Sequence, residues 1–237
     1  MAIEFKNVSC IYQNKDENVL ALNDISVSFE TEKINAIIGE SGSGKTTLIR
    51  CIAGIQKYEG EIYFDNTLIN DYKIKDRNVS LVSQEIALYP HMSVFQNIAF
   101  PLTFTDASTD EIRKRVAESA KLLGISHILS RKPRQISIGQ AQRVAIARAI
   151  IKRPNVYLLD EIFSNLDEKT ATEIRLDLKQ IFSKLQATVI FITHSVKEAM
   201  SLSDKIYVLN KGKIIESGTP REILNSTNPL VSVFFKQ

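Results

Sequence analysis

The fold is decided by residues 34–47, INAIIGESGSGKTT, where an apolar run leads into a glycine-rich loop. The run is typical of a buried strand, and the loop matches the pattern G-x-x-x-x-G-K-[ST], which stands between a strand and a helix. Glycines let the backbone curl until several N–H groups point at one anion, and the following helix adds the positive end of its dipole. The sequence therefore predicts a triphosphate site formed by Gly39, Glu40, Ser41, Gly42, Ser43, Gly44, Lys45, Thr46 and Thr47.

Two side chains of this loop have distinct predicted roles. Lys45 supplies a full positive charge to the outer phosphates, and Thr46 offers a hydroxyl to Mg²⁺. The helix that the loop opens is predicted from Leu48 to Ala53. Such a loop indicates only that a nucleoside triphosphate is bound, so its use has to be inferred from the rest of the chain.

The composition limits the function classes. The chain has 237 residues, 44% hydrophobic and 24% charged, which suits a single domain over residues 1–237 with a sub-domain inserted in it. A net charge of +3 is mild, and no nucleic-acid partner is predicted. Cys10 and Cys51 form no metal or redox motif. No apolar run approaches about 18 residues, so we expect any membrane role to go through a partner.

The antiparallel part of the fold is predicted from alternating segments around the loop. Residues 2–9 and 20–30 alternate between apolar and polar side chains, as half-buried strands do. Residues 11–18 are predicted to be a polar turn between them. Shorter strands are predicted at 60–64 and 68–70.

The middle of the chain is predicted to be helical, from about residue 93 to 153. Ser108 to Glu111 and Ser137 to Gln140 both match the capping box that begins a helix. Continuous apolar runs at 156–159 and 188–192 then predict buried strands of a parallel sheet. The other predicted elements are a strand at 79–82, a helix at 168–186, a hairpin at 206–215 and a short helix after Thr219.

Polar groups follow four of the predicted strands. They are the loop at 39–47, Gln84, the pair Asp160-Glu161, and His194. In an open parallel sheet ligands lie beyond the carboxyl ends of the strands, so we expect all four to face the same phosphates. Of the two adjacent acids, one can serve the metal and its water shell, and the other can take a proton from an attacking water.

The chain resembles the ATP-binding subunits of ABC transporters over essentially its full length. The resemblance is specific because several motifs stand in that family's order. They are the adenine-stacking aromatic Tyr12, the Walker A loop at 40–47, the Q-loop glutamine Gln84, the signature at 136–140, the Walker B end Asp160-Glu161, the D-loop at 164–167 and the switch histidine His194.

This resemblance implies an α/β fold of the P-loop NTPase class, with a RecA-like parallel sheet core, an antiparallel β sub-domain and an inserted helical sub-domain at about 93–153. It also implies a head-to-tail dimer, in which each of two ATP molecules with Mg²⁺ lies between one subunit's loop and the other's signature. The implied residues are Glu161, His194 and Gln84 for catalysis, Thr46, Gln84 and Asp160 for Mg²⁺, Tyr12 for adenine, Ser137, Gly139 and Gln140 for the trans contact, and Asp167 in the D-loop.

Two positions depart from the family pattern. Ile138 occupies the first glycine of the signature, where a β-branched residue would be strained if φ were positive. We expect either ordinary dihedral angles there or weakened dimer closure. Ile162 replaces the usual proline after the catalytic glutamate, which leaves the rigidity of that loop open.

The segment from Ala87 to Pro101 resembles sugar-importer ATPases more than exporters. The resemblance implies that permease subunits contact the region from Gln84 to Phe95, that an extracytoplasmic solute-binding protein takes part, and that the chain acts at the cytoplasmic face of the membrane. The closest family members carry a C-terminal regulatory domain, and because this chain stops at Gln237 we do not expect regulation by such a domain. The groove side chains named by the resemblance are Tyr89, Met92, Val94 and Phe95.

Several alternatives stay open at this stage. The chain could be an ABC ATPase without a transporter, or a scaffold that closes on ATP with weak hydrolysis, for which only Ile138 speaks. A small-molecule kinase would leave residues 136–140 and 164–167 unexplained. The sequence does not separate a homodimer from a heterodimer, and the transported solute lies outside this chain.

Overall fold

The computed structural model describes residues 1–13, 18–232 and 234. Within these residues it has two β-sheets. The strands are β1 (Ile3–Gln13), β2 (Asn18–Phe29), β3 (Ile34–Ile38), β4 (Glu59–Phe64), β5 (Thr67–Leu68), β6 (Val79–Val82), β7 (Val156–Asp160), β8 (Thr188–Thr193), β9 (Lys205–Asn210) and β10 (Lys213–Gly218). The helices are α1 (Lys45–Ala53), α2 (Val94–Ala99), α3 (Thr109–Leu122), α4 (Ile138–Ile150), α5 (Glu168–Leu185), α6 (Val196–Leu202), α7 (Pro220–Leu224) and α8 (Pro229–Ser232).

The larger sheet has the strand order β10-β9-β3-β8-β7-β6. All its neighbouring strands are parallel except the edge pair β9–β10. β3 lies inside the sheet between β8 and β9, and all five of its residues are buried. The residues that follow β3, β7 and β8 therefore emerge at one edge of the sheet, as the apolar runs predicted.

Both faces of this sheet are covered. Ala36 and Ile38 belong to a hydrophobic core shared with α2 to α6, whereas Ile37 belongs to a second core shared with α1 and the smaller sheet. This division follows the period of two along a strand, because alternate side chains point to opposite faces. A strand packed on both faces needs the continuous apolar run that the sequence has at 34–38.

The smaller sheet is antiparallel, in the order β2-β1-β4-β5. The predicted turn at 11–18 is wrong at both ends, since residues 11–13 belong to β1 and residue 18 to β2. Ile11 pairs with Leu20 and Tyr12 with Val19, and such cross-strand pairs of large apolar side chains extend a ladder. Residues 14–17 of that turn lie outside the described residues.

The other predicted boundaries need smaller corrections. β5 is shorter than the predicted 68–70 strand, and α1 begins at Lys45 rather than Leu48 because Gly44 is its N-cap. The capping box at Ser137 is confirmed in full. At Ser108 only half of the box forms, because the Glu111 carboxylate pairs with Arg115 instead of reaching back.

The segment predicted to be helical contains α2, α3 and α4, linked by short 3-10 turns. Helix α4 packs on α2 and α3, and also contacts β6 and α5. It therefore connects the helical segment to the larger sheet. In the part of the chain that the structure describes, no helix has the length and apolar character needed to cross a membrane.

Candidate functional site

Two glycines of the loop after β3 lie against the backbone of neighbouring segments. Gly44 has φ +106°, and a Cβ there would lie 2.3 Å from the Ala21 carbonyl oxygen. At Gly39 a Cβ would lie 2.2 Å from the carbonyl oxygen of Leu209 on β9. Both positions therefore need glycine, one for its backbone conformation and one for the close approach of a neighbouring strand.

Lys45 is buried inside this loop. Its Nζ donates to the carbonyl oxygens of Gly39 and Glu40, both at 2.9 Å, and lies 4.0 Å from Glu161 Oε1. Burial lowers the pKa of the Lys45 amine, and the nearby carboxylates of Glu161 and Asp160 oppose that shift. The hydrogen bonds of the Lys45 amine go to neutral carbonyl oxygens, and the Glu161 carboxylate is farther away at 4.0 Å, so the amine can exchange these bonds for a phosphate.

Asp160 and Thr46 lie side by side at the end of β7 and the start of α1. The Thr46 hydroxyl donates to Asp160 Oδ1 at 3.3 Å. Burial raises the pKa of the Asp160 carboxyl, with the hydrogen bond from Thr46 acting in the opposite direction. A buried carboxylate beside a hydroxyl is a pair of hard oxygen ligands, which suits Mg²⁺.

Among the described residues no group of three or more His, Cys, Asp and Glu side chains could enclose a metal ion. Mg²⁺ usually keeps several waters and takes one or two carboxylates together with substrate phosphates, so such a cage is not needed.

Glu161 meets His194 across the ends of β7 and β8. Glu161 Oε2 lies 3.4 Å from His194 Nδ1, and the Glu161 backbone N–H donates to the Ile192 carbonyl oxygen at 3.0 Å. The Glu161 side chain is 19% exposed and that of His194 is 62% exposed. Glu161 also has φ +44°, an uncommon conformation for a residue with a side chain, which strand pairing holds in place.

The turn after Glu161 is well held, which answers the question raised by Ile162. Ile162 and Phe163 are both buried. The backbone N–H and the hydroxyl of Ser164 both donate to the Glu161 carbonyl oxygen, at 3.2 and 2.9 Å. Packing and hydrogen bonds fix this turn without the proline.

Gln84 contacts the same turn rather than the pair Thr46 and Asp160. Its Nε2 lies 3.4 Å from Ser164 Oγ, and Asn165 Nδ2 lies 3.5 Å from the Gln84 carbonyl oxygen. The structure therefore links the predicted catalytic amide to the segment between Glu161 and Asp167. A direct contact with the predicted metal ligands is not part of this geometry.

Tyr12 stands at the rim of the loop. Its hydroxyl lies 3.2 Å from Thr47 Oγ1, so the half-buried ring is anchored to the first turn of α1. The ring belongs to β1, on the antiparallel sheet, while the loop belongs to the parallel sheet. A base bound beside the phosphates would thus have an aromatic face close to hand.

The signature turn forms the start of α4. Ser137 Oγ accepts from the Gln140 N–H, and Gln140 Oε1 accepts from the Ser137 N–H, both at 3.2 Å. Ile138 is the first helical residue, is 54% exposed and is not among the residues with positive φ. The strain considered for Ile138 is therefore absent. Gly139, in contrast, is buried.

The D-loop aspartate Asp167 is the N-cap of α5. Its two carboxylate oxygens accept from the backbone N–H and the hydroxyl of Thr170, at 3.0 and 2.7 Å. Sequence reasoning assigned no role to Thr170, although its spacing of three residues from an aspartate N-cap was visible. Ser164 was predicted only as part of the D-loop at 164–167, and the structure places it between Glu161 and Gln84.

One further cluster had no sequence signal. Glu168 Oε1 is 2.8 Å from both Arg175 and Lys197, so it connects the start of α5 to α6, the helix after His194. Hydrogen bonds from Lys197 and Arg175 lower the pKa of Glu168 to about 2. Residues from two helices meet here, and a pairing of this kind cannot be read from spacing along the chain.

The segment expected to receive a permease helix divides into two parts. Tyr89 lines an open groove of about 520 Å³, together with Phe100, Phe104 and Arg148. Val94 is fully buried in the hydrophobic core that the larger sheet shares with α2 to α6, and Phe95 packs against that core. These two side chains therefore stabilise the helices instead of lining the groove.

The fold and the site together define a phosphate-loop protein that binds a nucleoside triphosphate at the carboxyl edge of a parallel sheet. A sequence model of the family described as ABC transporter matches residues 22–164. The chain belongs to the ABC transporter family.

Sequence relatives agree with this assignment. The sn-glycerol-3-phosphate import ATP-binding protein of Bartonella bacilliformis is 43% identical over 214 residues, which is 90% of this chain and 62% of that protein. The protein of the same name in Yersinia enterocolitica is 45% identical over 188 residues, 79% of this chain and 52% of its own length. This chain thus spans between about half and two thirds of the length of these relatives.

Solved structures confirm the predicted fold class. The dimeric ATP-binding cassette MJ0796, in a post-hydrolysis state with ADP and Pi, is 33% identical with a TM-score of 0.83, covering 92% of this chain and 99% of its own. The structure of cbiO1 from Clostridium perfringens, part of the ABC transporter complex cbiONQ, is 30% identical with a TM-score of 0.85, covering 99% and 98%.

Proposed function

We propose that this chain hydrolyses ATP as one subunit of a head-to-tail dimer and so powers solute import through partner membrane subunits. The observation that carries the proposal is the contact between Lys45, Glu161 and His194 at one edge of the sheet, where Lys45 Nζ lies 4.0 Å and His194 Nδ1 3.4 Å from the Glu161 carboxylate. A phosphate-binding cation and a carboxylate base within reach of one another are the parts that water attack on a phosphate needs.

Each residue has a stated task in this proposal. Lys45 shifts from the loop carbonyls to the outer phosphates and balances their charge. Glu161 accepts the proton of the attacking water, and His194 orients the Glu161 carboxylate through Nδ1. Tyr12 offers its ring to the adenine base.

Thr46 and Asp160 would hold Mg²⁺, since their oxygens are adjacent. When bound, the ion neutralises charge on the phosphate oxygens. Gln84 is proposed to reach this site from its present contact with Ser164, which puts the amide next to the turn that follows Glu161.

The dimer is supported by a second helix start, at the signature turn, that lies on the surface. Ser137 and Gln140 exchange hydrogen bonds with one another, and the exposed start of α4 presents its first amides as an anion-binding terminus. A γ-phosphate gripped by the loop of one subunit and by this terminus of another would hold the two together. The known structure of MJ0796 is dimeric, which favours the same arrangement here.

The membrane partner is proposed to dock in the groove beside Tyr89. The rings of Tyr89 and Phe100 lie 4.5 Å apart, and Phe104 is 76% exposed. An amphipathic helix from a permease would cover this aromatic surface. The chain would then act at the cytoplasmic face of the membrane, with an extracytoplasmic solute-binding protein delivering the solute.

The solute class is proposed from the relatives alone. Two of them carry the name of an sn-glycerol-3-phosphate importer, which makes a small phosphorylated solute the first to test. No residue described above would contact the solute.

The decisive test replaces the proposed base. Glu161→Gln keeps the shape of the side chain but cannot accept a proton, so we expect hydrolysis to fall by at least about a hundredfold. With ATP and Mg²⁺ this variant should elute as a dimer in size-exclusion chromatography, whereas the wild-type chain should be a dimer only transiently.

Glu59→Gln, on the exposed face of β4, is the matched control and should keep wild-type hydrolysis. A Glu161→Gln variant that remains a monomer with ATP would contradict the dimer. A wild-type chain that also stays dimeric with ATP, without hydrolysis, would favour the scaffold alternative.

A further inference from the structure

Gly139 is packed against the helix that follows the D-loop in the same chain. A Cβ placed on Gly139 would lie 2.6 Å from Thr170 Cγ2, 3.8 Å from Thr170 Cβ and 3.9 Å from Thr170 Oγ1. A separation of 2.6 Å is well inside van der Waals contact, so an alanine at this position would have to displace Thr170 or α4. The absence of a side chain at Gly139 thus has a structural reason within one subunit.

Thr170 cannot easily move away. Its hydroxyl donates to Asp167 Oδ2 at 2.7 Å, and its backbone N–H donates to Asp167 Oδ1 at 3.0 Å. Rotation about χ1 would move the methyl group away from Gly139 but would break the hydroxyl bond, and β-branched side chains have few allowed rotamers in a helix. The N-cap of α5 therefore sets where the methyl group points.

We propose that Thr170 is a positioning residue that joins the D-loop to the signature turn within each subunit: its hydroxyl is fixed by Asp167 while its methyl group sets the position of Gly139 and the start of α4. The inference rests on the proposed dimeric ATPase, because only there do Ser137 and Gly139 serve a nucleotide bound to another subunit. It assigns the need for glycine at 139 to contact within the chain, in addition to any need for room around a phosphate.

The proposal has a mechanical consequence. Asp167 lies six residues after Glu161, in the segment that also contacts Gln84 through Ser164. A displacement of that segment would reach the signature turn through Thr170. Each subunit would thus couple the site that holds its own triphosphate to the surface that it offers to its partner's triphosphate.

The experiment is a double-mutant cycle with a matched control. Gly139→Ala introduces the clash, and Thr170→Ser removes the methyl group while keeping the hydroxyl that binds Asp167. The control is Thr172→Ser, the same change on the same helix, where the hydroxyl donates to the Glu168 carbonyl oxygen. Steady-state hydrolysis, ATP binding by titration calorimetry and the thermal unfolding midpoint are measured for the full chain.

We expect Gly139→Ala to lower kcat by about tenfold and to leave the affinity of the monomer for ATP within about twofold of wild type, since the loop is untouched. Adding Thr170→Ser should return kcat to within about threefold of wild type, whereas adding Thr172→Ser should return nothing. In the Glu161→Gln background, the fraction of dimer trapped by ATP should likewise fall with Gly139→Ala, recover when Thr170→Ser is added, and stay low when Thr172→Ser is added.

Two results would overturn the inference. One is an equally inactive double variant whose unfolding midpoint has recovered, because turnover would then depend on the glycine only through a ligand outside the chain and not through Thr170. The other is a Gly139→Ala variant with wild-type kcat and unfolding midpoint, because the contact would then have no consequence.

Failure of the proposed function can be recognised separately. In that case the wild-type chain would neither hydrolyse ATP nor yield a trapped dimer with Glu161→Gln. The proposed coupling of Thr170 to hydrolysis would then be refuted as well. The contact between Gly139 and Thr170 would still be tested by the thermal unfolding midpoints. A midpoint lowered by Gly139→Ala and restored only by Thr170→Ser would support the contact, and no restoration would overturn it.

Discussion

The phosphate loop and the signature turn each lead into the start of a helix, yet their surroundings differ. Lys45 is 5% exposed and bonded to two carbonyl oxygens of its own loop, and its closest charged neighbour is Glu161. The signature turn has Ile138 at 54% exposure, and its Ser137 and Gln140 contact each other. One site is largely built inside the chain, whereas the other is a surface.

This difference separates the functions that one subunit can perform alone from those that need two. Binding of a triphosphate requires the loop, which the strand β3 and its neighbours preorganise. Hydrolysis in the proposed dimer requires the exposed turn as well. Substitutions in the two regions should therefore separate binding by the monomer from turnover by the dimer.

The largest effect is expected at the loop. Lys45→Ala removes a charge from the phosphate site, and we expect ATP affinity to fall by about a hundredfold, as for the loss of charge-assisted hydrogen bonds. Titration calorimetry of the monomer measures this. Lys6→Ala, an exposed lysine of β1, is the control, and unchanged affinity in Lys45→Ala would show that the loop does not hold phosphate in this way.

The next effect is expected at the signature. Ser137→Ala should leave ATP binding by the monomer unchanged while lowering steady-state turnover by about tenfold, because one contact across the dimer is lost. It also removes a helix cap, which costs about 1 kcal/mol in the free energy of unfolding. Ser108→Ala removes the equivalent cap of α3 and should reproduce only the loss of stability. Equal loss of turnover in both variants would mean that Ser137 acts as a cap alone.

A smaller effect is expected at Ile138. Because its backbone is already helical, Ile138→Gly should leave turnover equal or higher, and should cost at most about 1 kcal/mol of unfolding free energy through lost helix propensity. Hydrolysis and urea unfolding measure the two effects. Thr109→Gly, at the first position of α3, is the control for the helix cost. A large loss of turnover would show that the isoleucine itself contributes to the dimer surface.

The smallest effect is expected at Glu168, the first residue of α5, which follows the D-loop. Its pKa is lowered from 4.5 to about 2 by Lys197 and Arg175, so its stabilising contribution is present above pH 4.5 and is lost as the pH falls toward 2. Glu168→Gln should therefore be less stable than wild type at neutral pH, and the two unfolding free energies should converge through that range. Parallel curves down to the acid limit would contradict the lowered pKa.

The parallel core could be predicted because both its signal and its structure are local. The apolar run at 34–38 and the runs ending at Asp160 and near His194 are long enough to identify buried strands, and the rule for parallel sheets then brings their ends together. Glu161 and His194 meet as that rule predicted. The helix cap at Ser137 was also a local signal, and it forms. Asp167, predicted only as part of the D-loop, proves to be the N-cap of α5.

The remainder depended on contacts that spacing does not encode. The turn at 11–18 reads as polar, but cross-strand pairing of Ile11 with Leu20 extends the strands into it. The contact between Thr170 and Gly139 joins residues about thirty positions apart on two helices. Val94 looked available for a partner and proved to be core, because an apolar side chain alone does not indicate which face of a helix is covered.

The hydrogen bond from the Glu161 amide to the Ile192 carbonyl fastens the proposed base to the strand that ends beside His194. The two side chains thus follow adjacent strands of one rigid sheet, so their separation is fixed as long as the sheet stays folded. In the proposed mechanism the response to a γ-phosphate is therefore expected at Gln84, which is exposed and whose side chain has one hydrogen bond, to Ser164, among the described residues.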